Sequence, residues 1–269
     1  MRYICALTIA GSDCSGGAGI QADIKTMSAL GVYAATAITS ITVQNTKVVQ
    51  AVHGVNPFIV ADQIKAVMDD LKPDAVKIGM VNDSATIHAI ADTLKHYPKC
   101  PIVIDPIMVS TSGFNLMKPD ALELFCHSLL PMSTLLTPNL PETEILSNMK
   151  IKTIDDIAAQ KIMSLGCNAV LMKGGHIDGG EKVDRLYMAN GGVQTFTHKT
   201  IDTRNTHGTG CTLSSAITSY IARGLELTDA IAAAKNYLSQ ALAAGKDIHI
   251  GEGHGPVNHL FNPEKLITL

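Results

Sequence analysis

Short apolar runs recur along the chain at residues 3–10, 34–43, 75–79, 102–104, 134–136 and 169–172. Their length and near-continuous apolar character predict strands buried in a sheet. Between them, apolar positions fall at helical spacing near 20–30, 57–71, 84–96, 119–130 and 153–165. Strand and helix in alternation predict an α/β fold, a mostly parallel sheet covered by helices on both faces. From Asp184 the pattern changes: DRLYMANGGVQTFTHKTID is two strand-like runs joined at Asn190, Gly191 and Gly192. That is a hairpin signal and predicts an antiparallel edge. The chain returns to helix in GCTLSSAITSYIARG and LTDAIAAAKNYLSQALAAG, both closing on glycine. No repeat, low-complexity tract or linker divides it, so residues 1–269 read as one domain.

Composition narrows the classes of function. Hydrophobic residues make up 46% and charged residues 17%, which fits a compact soluble protein and excludes general disorder. The net charge of −3 and the lack of a lysine or arginine run leave nothing to attract nucleic acid, so a small-molecule partner is expected. The N-terminal run MRYICALTIAGSD is too short for a signal sequence or a membrane span. Six scattered cysteines without a C-x-x-C pair predict neither a disulfide framework nor a zinc site, and indicate a reducing, cytoplasmic setting. Ten histidines form no H-E-x-x-H pattern and are expected on the surface or in loops.

Glycine loops carry the candidate chemistry. In AGSDCSGGAGIQADIK, Gly11 and Gly16 have P-loop spacing, but Gly17 stands where the phosphate lysine is required. Gly17, Gly19 and Ala22 match G-x-G-x-x-A, yet no acid between Asp23 and Asp62 offers the ribose contact of a dinucleotide site. A loop after a parallel strand still faces the ligand crevice, and its small residues admit a flat substrate close to the backbone. Asp13, Asp23 and Gln44 of TVQNT are candidates for directed hydrogen bonds, the last because a carboxamide offers both donor and acceptor. The alternative is a tight turn with Asp23 on a solvated helix face. In LLTPNLPETEIL, Asn139 and Glu142 form either an ordinary helix start or an amide and a carboxylate near a metal and its phosphates. Lys173 of VLMKGGH is placed to neutralise a phosphate, or is a plain strand-end lysine.

RNTHGTGCTLSSAI is the third loop. Its glycines precede a strongly helical run, so the amides of Gly208, Thr209, Gly210 and Cys211 should cluster at a helix N-terminus and attract an anion. The same field should favour a thiolate at Cys211 and lower its pKa.

Taken together, AGSDCSGGAGIQAD, VQNT, KIGM, TPNLPE, MKGGH and NTHGTGC resemble the hydroxymethylpyrimidine and phosphomethylpyrimidine kinases of thiamine biosynthesis, in order from about residue 7 to 256. The resemblance implies a ribokinase-like αβα sandwich with an antiparallel edge hairpin. It implies ATP with Mg²⁺ phosphorylating 4-amino-5-hydroxymethyl-2-methylpyrimidine and then its monophosphate, and a homodimer. Carried over by residue, Gln44 would read the pyrimidine edge, with Gly11, Asp23 and Met80 completing the pocket. Asn139 and Glu142 would hold the metal and its waters, with Asp105 of VIDPIM nearby. Lys173 would touch the nucleotide phosphates, Thr206 and residues 208–211 would form the anion hole, and Cys211 would accept the proton of the attacking hydroxyl. The competing readings are a pyridoxal kinase of the same fold, a sensory module that kept the fold without the chemistry, and, distantly, an NAD-dependent dehydrogenase. Residues 110–113 of STSGFNL are a candidate flap.

Overall fold

The computed structural model describes residues 1–109, 116–118, 120–177 and 180–269, with the backbone alone for 175–177. The candidate flap at 110–113 lies outside the described residues. The chain runs β1 (Cys5–Asp13), α1 (Gly19–Ala29), β2 (Tyr33–Gln44), β3 (Val49–Gly54), α2 (Pro57–Asp70), β4 (Ala75–Ile78), α3 (Ser84–Lys95), β5 (Ile102–Ile104) and α4 (Ala121–Leu124). It continues through β6 (Leu135–Leu136), α5 (Leu140–Ser147), α6 (Asp156–Met163), β7 (Ala169–Ile177), β8 (Glu181–Met188), β9 (Val193–Lys199), α7 (Thr209–Ala222) and α8 (Leu227–Gly245).

All nine strands join one sheet in the order β3-β2-β1-β4-β5-β6-β7-β8-β9. The inner run from β2 to β7 is parallel, whereas β3 at one edge and β8 and β9 at the other are antiparallel. Successive strand residues face opposite ways, and the two cores show it. Leu7, Ile9, Val76, Ile78, Ile102, Ile104 and Leu136 pack with α2, α3, α5 and α6 through Ile64, Ile87, Ile90, Leu146 and Ile162. Val103, Leu135, Ala169 and Leu171 point the other way, onto Leu213, Ile217, Ile231 and Tyr237 of α7 and α8. Burial on both faces is what the near-continuous apolar runs encode.

Helix starts follow from capping chemistry. Asn56 accepts from Phe58 N before Pro57 opens α2, Asp83 accepts from Thr86 N at α3, and Asp155 accepts from Ile157 N and Ala158 N at α6. Two departures from the sequence pattern have local causes. The helix expected over 119–130 is only four residues of α4, continued by a wide turn over Phe125–Leu129 and a tight one over Leu130–Met132. Pro131 removes a helical donor there. Strand β3 is absent from the apolar runs because only Val49 is buried in it, as befits an edge.

Candidate active site

After β1 and β2 the chain crosses to the opposite side of β1 to lay down β4. Ligands of such sheets bind at that switch, beyond the carboxyl ends of the strands. A cleft of about 860 Å³, its mouth included, opens there. Gly11, Met80, Asp105, Asn139 and Lys173 reach it from the ends of β1, β4, β5, β6 and along β7. Gln44 closes one side, and Thr206, Gly208, Thr209, Gly210 and Cys211 form the floor with Glu142.

Asp23 is the correction. It is fully buried and away from the cleft. Lys77 Nζ donates to both its oxygens at 2.9 and 3.0 Å, and the hydroxyls of Thr8 and Ser215 each donate at 2.6 Å. A carboxylate so enclosed anchors β1, β4, α1 and α7 to one another and leaves no oxygen for a substrate.

The third loop has the expected geometry and an unexpected thiol. Gly208, at φ +78°, is the N-cap of α7, and no side chain caps that helix. Thr209 N–H donates to Thr206 O at 3.3 Å, and the amides that follow it in the first turn are the ones open to an anion. A Cβ on Gly208 would come within 1.9 Å of Gly17 O, and one on Gly17 within 2.3 Å of His207 Cδ2, so the first and third loops interlock only as glycines. Cys211, the third residue of α7, lines the cleft at that helix start. Burial nevertheless pushes its thiol up to about 12, against the pull of the Lys77 ammonium. The lowered pKa expected from the helix field is not found, because desolvation of a group 5% exposed is the larger effect.

Lys173 Nζ donates to Asp105 Oδ1 at 2.9 Å, and Asp105 is held further by the hydroxyls of Thr137 at 3.1 Å and Ser214 at 3.3 Å. Burial opposes ionisation of Asp105, but Lys173 and Lys77 outweigh it and keep it below the usual carboxylate range. Asp105 thus meets the cleft as the counter-ion of Lys173. Glu142 accepts from Asn139 N at 2.8 Å while Asn139 accepts from Glu142 N at 2.9 Å, a reciprocal capping box that starts α5. Burial pushes Glu142 up to about 7, offset in part by Lys173 and reinforced by Asp105. Among the described residues no three His, Cys, Asp or Glu side chains gather as a metal cluster. One buried carboxylate short of positive charge still suits a hard cation that takes its other ligands from water and phosphate.

His207 was not singled out in the sequence, where most histidines were expected on the surface or in loops. It is buried, with Nε2 2.8 Å from Asp13 Oδ2 and 3.2 Å from the Gln44 carboxamide. Asp13 also accepts from the amides of Ser15, Gly17 and Ala18. Burial pushes Asp13 up, but the bonds from His207, Ser15 and Ala18 prevail and hold it at about 2. The only sequence signal was the histidine's place directly before Gly208. A second cleft shares Asn139, Lys173, Thr206, Thr209 and Gly210 with the first and extends towards Leu238 and Leu242 of α8. Two chambers therefore meet over the uncapped start of α7.

An αβα sandwich with an anion site between two joined clefts defines a small-molecule kinase of the ribokinase-like class. The chain belongs to the phosphomethylpyrimidine kinase family, whose model matches residues 13–258. It is 49% identical to the hydroxymethylpyrimidine/phosphomethylpyrimidine kinase of Rhizobium meliloti (strain 1021), over 94% of this chain and 96% of that protein. The crystal structure of phosphomethylpyrimidine kinase from Clostridium difficile 630 matches with a TM-score of 0.77 at 48% identity, covering 89% of this chain and 99% of that one. An ADP complex of Bacillus subtilis pyridoxal kinase matches with a TM-score of 0.85 at 36% identity, covering 96% and 98%.

Proposed function

We propose that this protein transfers the γ-phosphoryl group of ATP to the hydroxymethyl oxygen of 4-amino-5-hydroxymethyl-2-methylpyrimidine, and then phosphorylates the monophosphate to the diphosphate. The observation that carries the reading is the uncapped start of α7 at the junction of two clefts, with Cys211 on the floor of one and Lys173 beside both. The cleft bounded by Gln44 and Met80 takes the ring, and the one running to α8 takes the nucleotide.

Amides at the start of α7 hold the migrating phosphoryl group, while Lys173, already turned towards the site by Asp105, neutralises charge on the nucleotide. The new bond joins the alcohol oxygen to γ-phosphorus as the bond to the β-phosphate oxygen breaks and ADP leaves. Glu142, with Asn139 behind it, is the group that would hold Mg²⁺ and its waters, and the cation would supply neutralisation of phosphate charge there. A thiol near 12 is protonated at neutral pH, so Cys211 positions the alcohol, and the proton departs with the transferred group. A loose transition state asks for little base. Dimerisation and a cytoplasmic setting complete the reading, supported by the family resemblance and the unpaired cysteines.

A panel of alcohols with ATP, scored for ADP and for one or two phosphates added, tests it. Diphosphate from the aminopyrimidine alcohol is expected, and preferential turnover of pyridoxal would favour the vitamin B6 reading, which the likeness to pyridoxal kinase keeps as the second choice.

A further inference from the structure

The hydrogen bonds around Gln44 carry an inference that rests on the proposed substrate and goes beyond it. As placed, Gln44 Nε2 faces His207 Nε2 at 3.2 Å, and Gln44 Oε1 faces Thr42 Oγ1 at 3.3 Å. Neither pairing survives a count of hydrogens. Asp13 is ionised, so His207 Nε2 must carry the hydrogen it gives to Asp13 Oδ2 at 2.8 Å, which would set an amide N–H against a ring N–H. Thr42 has one hydroxyl hydrogen and already donates it to Ser12 O at 3.0 Å. Oxygen and nitrogen of a carboxamide have nearly the same shape, so their identities follow from partners. Exchanging them removes both conflicts: the one hydrogen on His207 Nε2, given chiefly to Asp13 at 2.8 Å, is shared in a three-centre bond with the Gln44 oxygen at 3.2 Å, and the Gln44 NH₂ donates to Thr42, which donates to Ser12 O.

We propose that His207 and Thr42 fix the polarity of the Gln44 carboxamide, oxygen towards the anion-hole loop and N–H towards Thr42, and that His207 is thereby a specificity-determining positioning residue. One lone pair of the oxygen and one N–H remain for the ring. His207 directly precedes Gly208 of the anion-hole loop, and the oxygen, which faces His207, is taken as the end towards the reacting hydroxymethyl group. The site thus selects a ring with a donor beside that group and an acceptor next along. A 4-aminopyrimidine offers its amino group and N3 in that order. A 4-oxo-pyrimidine with hydrogen on N3 offers the reverse, and the aldehyde of pyridoxal sets oxygen against oxygen.

The test compares kcat/KM for 4-amino-5-hydroxymethyl-2-methylpyrimidine and its 4-oxo analogue in wild type, His207→Leu and Thr42→Val. Wild type should prefer the amino alcohol about 100-fold or more, since a reversed ring leaves buried polar groups opposed. In His207→Leu the amide turns freely, and the preference should fall about tenfold or more, through a higher KM for the amino alcohol and a gain on the oxo compound. Thr42→Val loosens the other end without touching the anion-hole loop and should move the ratio the same way, which keeps the test open if the histidine variant does not fold. A ratio unchanged within about twofold in the folded variants, with both substrates slowed alike, gives His207 a merely structural role and overturns the inference alone. Absence of ADP release with the amino alcohol in wild type overturns the proposed function, and this inference with it.

Discussion

Glu142 is a carboxylate enclosed by protein, and its environment makes a thermodynamic commitment. Burial raises it from an ordinary value of 4.5 to about 7, so the folded state binds its proton more tightly than the unfolded chain does. Between those two values stability must fall as pH rises, and above 7 the loss is complete. Glu142→Gln keeps the capping geometry, since glutamine serves at that helix position, and removes the charge. Its Tm is expected to exceed that of wild type at pH 8, with the gap closing below pH 5, while its turnover at limiting Mg²⁺ drops. A gap independent of pH would mean that burial of charge is not the cause. Cys211 makes a separate prediction. A thiol near 12 that positions the alcohol leaves log kcat flat from pH 7 to 9, whereas a thiolate base would make it climb tenfold per unit. Cys211→Ala should lower kcat about 10- to 100-fold, the usual cost of a misplaced reactant.

At the scale of elements, the start of α7 works because the first and third loops share one space. Gly208→Ala adds a Cβ aimed at Gly17 O and opposes a φ of +78°, so it moves both loops together. Turnover should fall by about 100-fold or more while the far-UV circular dichroism of the folded protein is retained. The loops themselves were legible in sequence, because glycine clusters after apolar runs mark strand-to-helix turns at the ligand end of a parallel sheet. What hung from them was legible unevenly. Gln44, Asn139 and Lys173 were visible as polar residues at strand ends, and Glu142 as an acid in the first turn of a helix. Asp23 was misread because its partner Lys77 lies 54 positions away, inside an apolar run, and nothing local announces that pairing. His207 was missed for a related reason: its value comes from Asp13, 194 positions earlier.

For the molecule as a whole, the inner strands could be read from apolar character because helices cover both faces, while β3 could not because an edge strand is mostly exposed. The pairing of loops across the sheet is set by the crossover at β1, which no local pattern encodes. The Lys77–Asp23 pair lies at the centre of that arrangement, both side chains fully buried. Lys77→Met leaves a lone carboxylate in the interior and should cost about 3–5 kcal/mol in denaturant unfolding. Lys77→Met combined with Asp23→Leu should recover most of that loss, since paired apolar replacement of a buried ion pair is often neutral. A double variant no more stable than the single one would refute the pairing as the source.

The same pair has a consequence for descent. A lineage that altered either position alone would pass through a weakened protein, so the two sites should change together or not at all across related chains. The exposed Lys65–Asp62 contact carries no such bond between its members, and its two positions should drift independently.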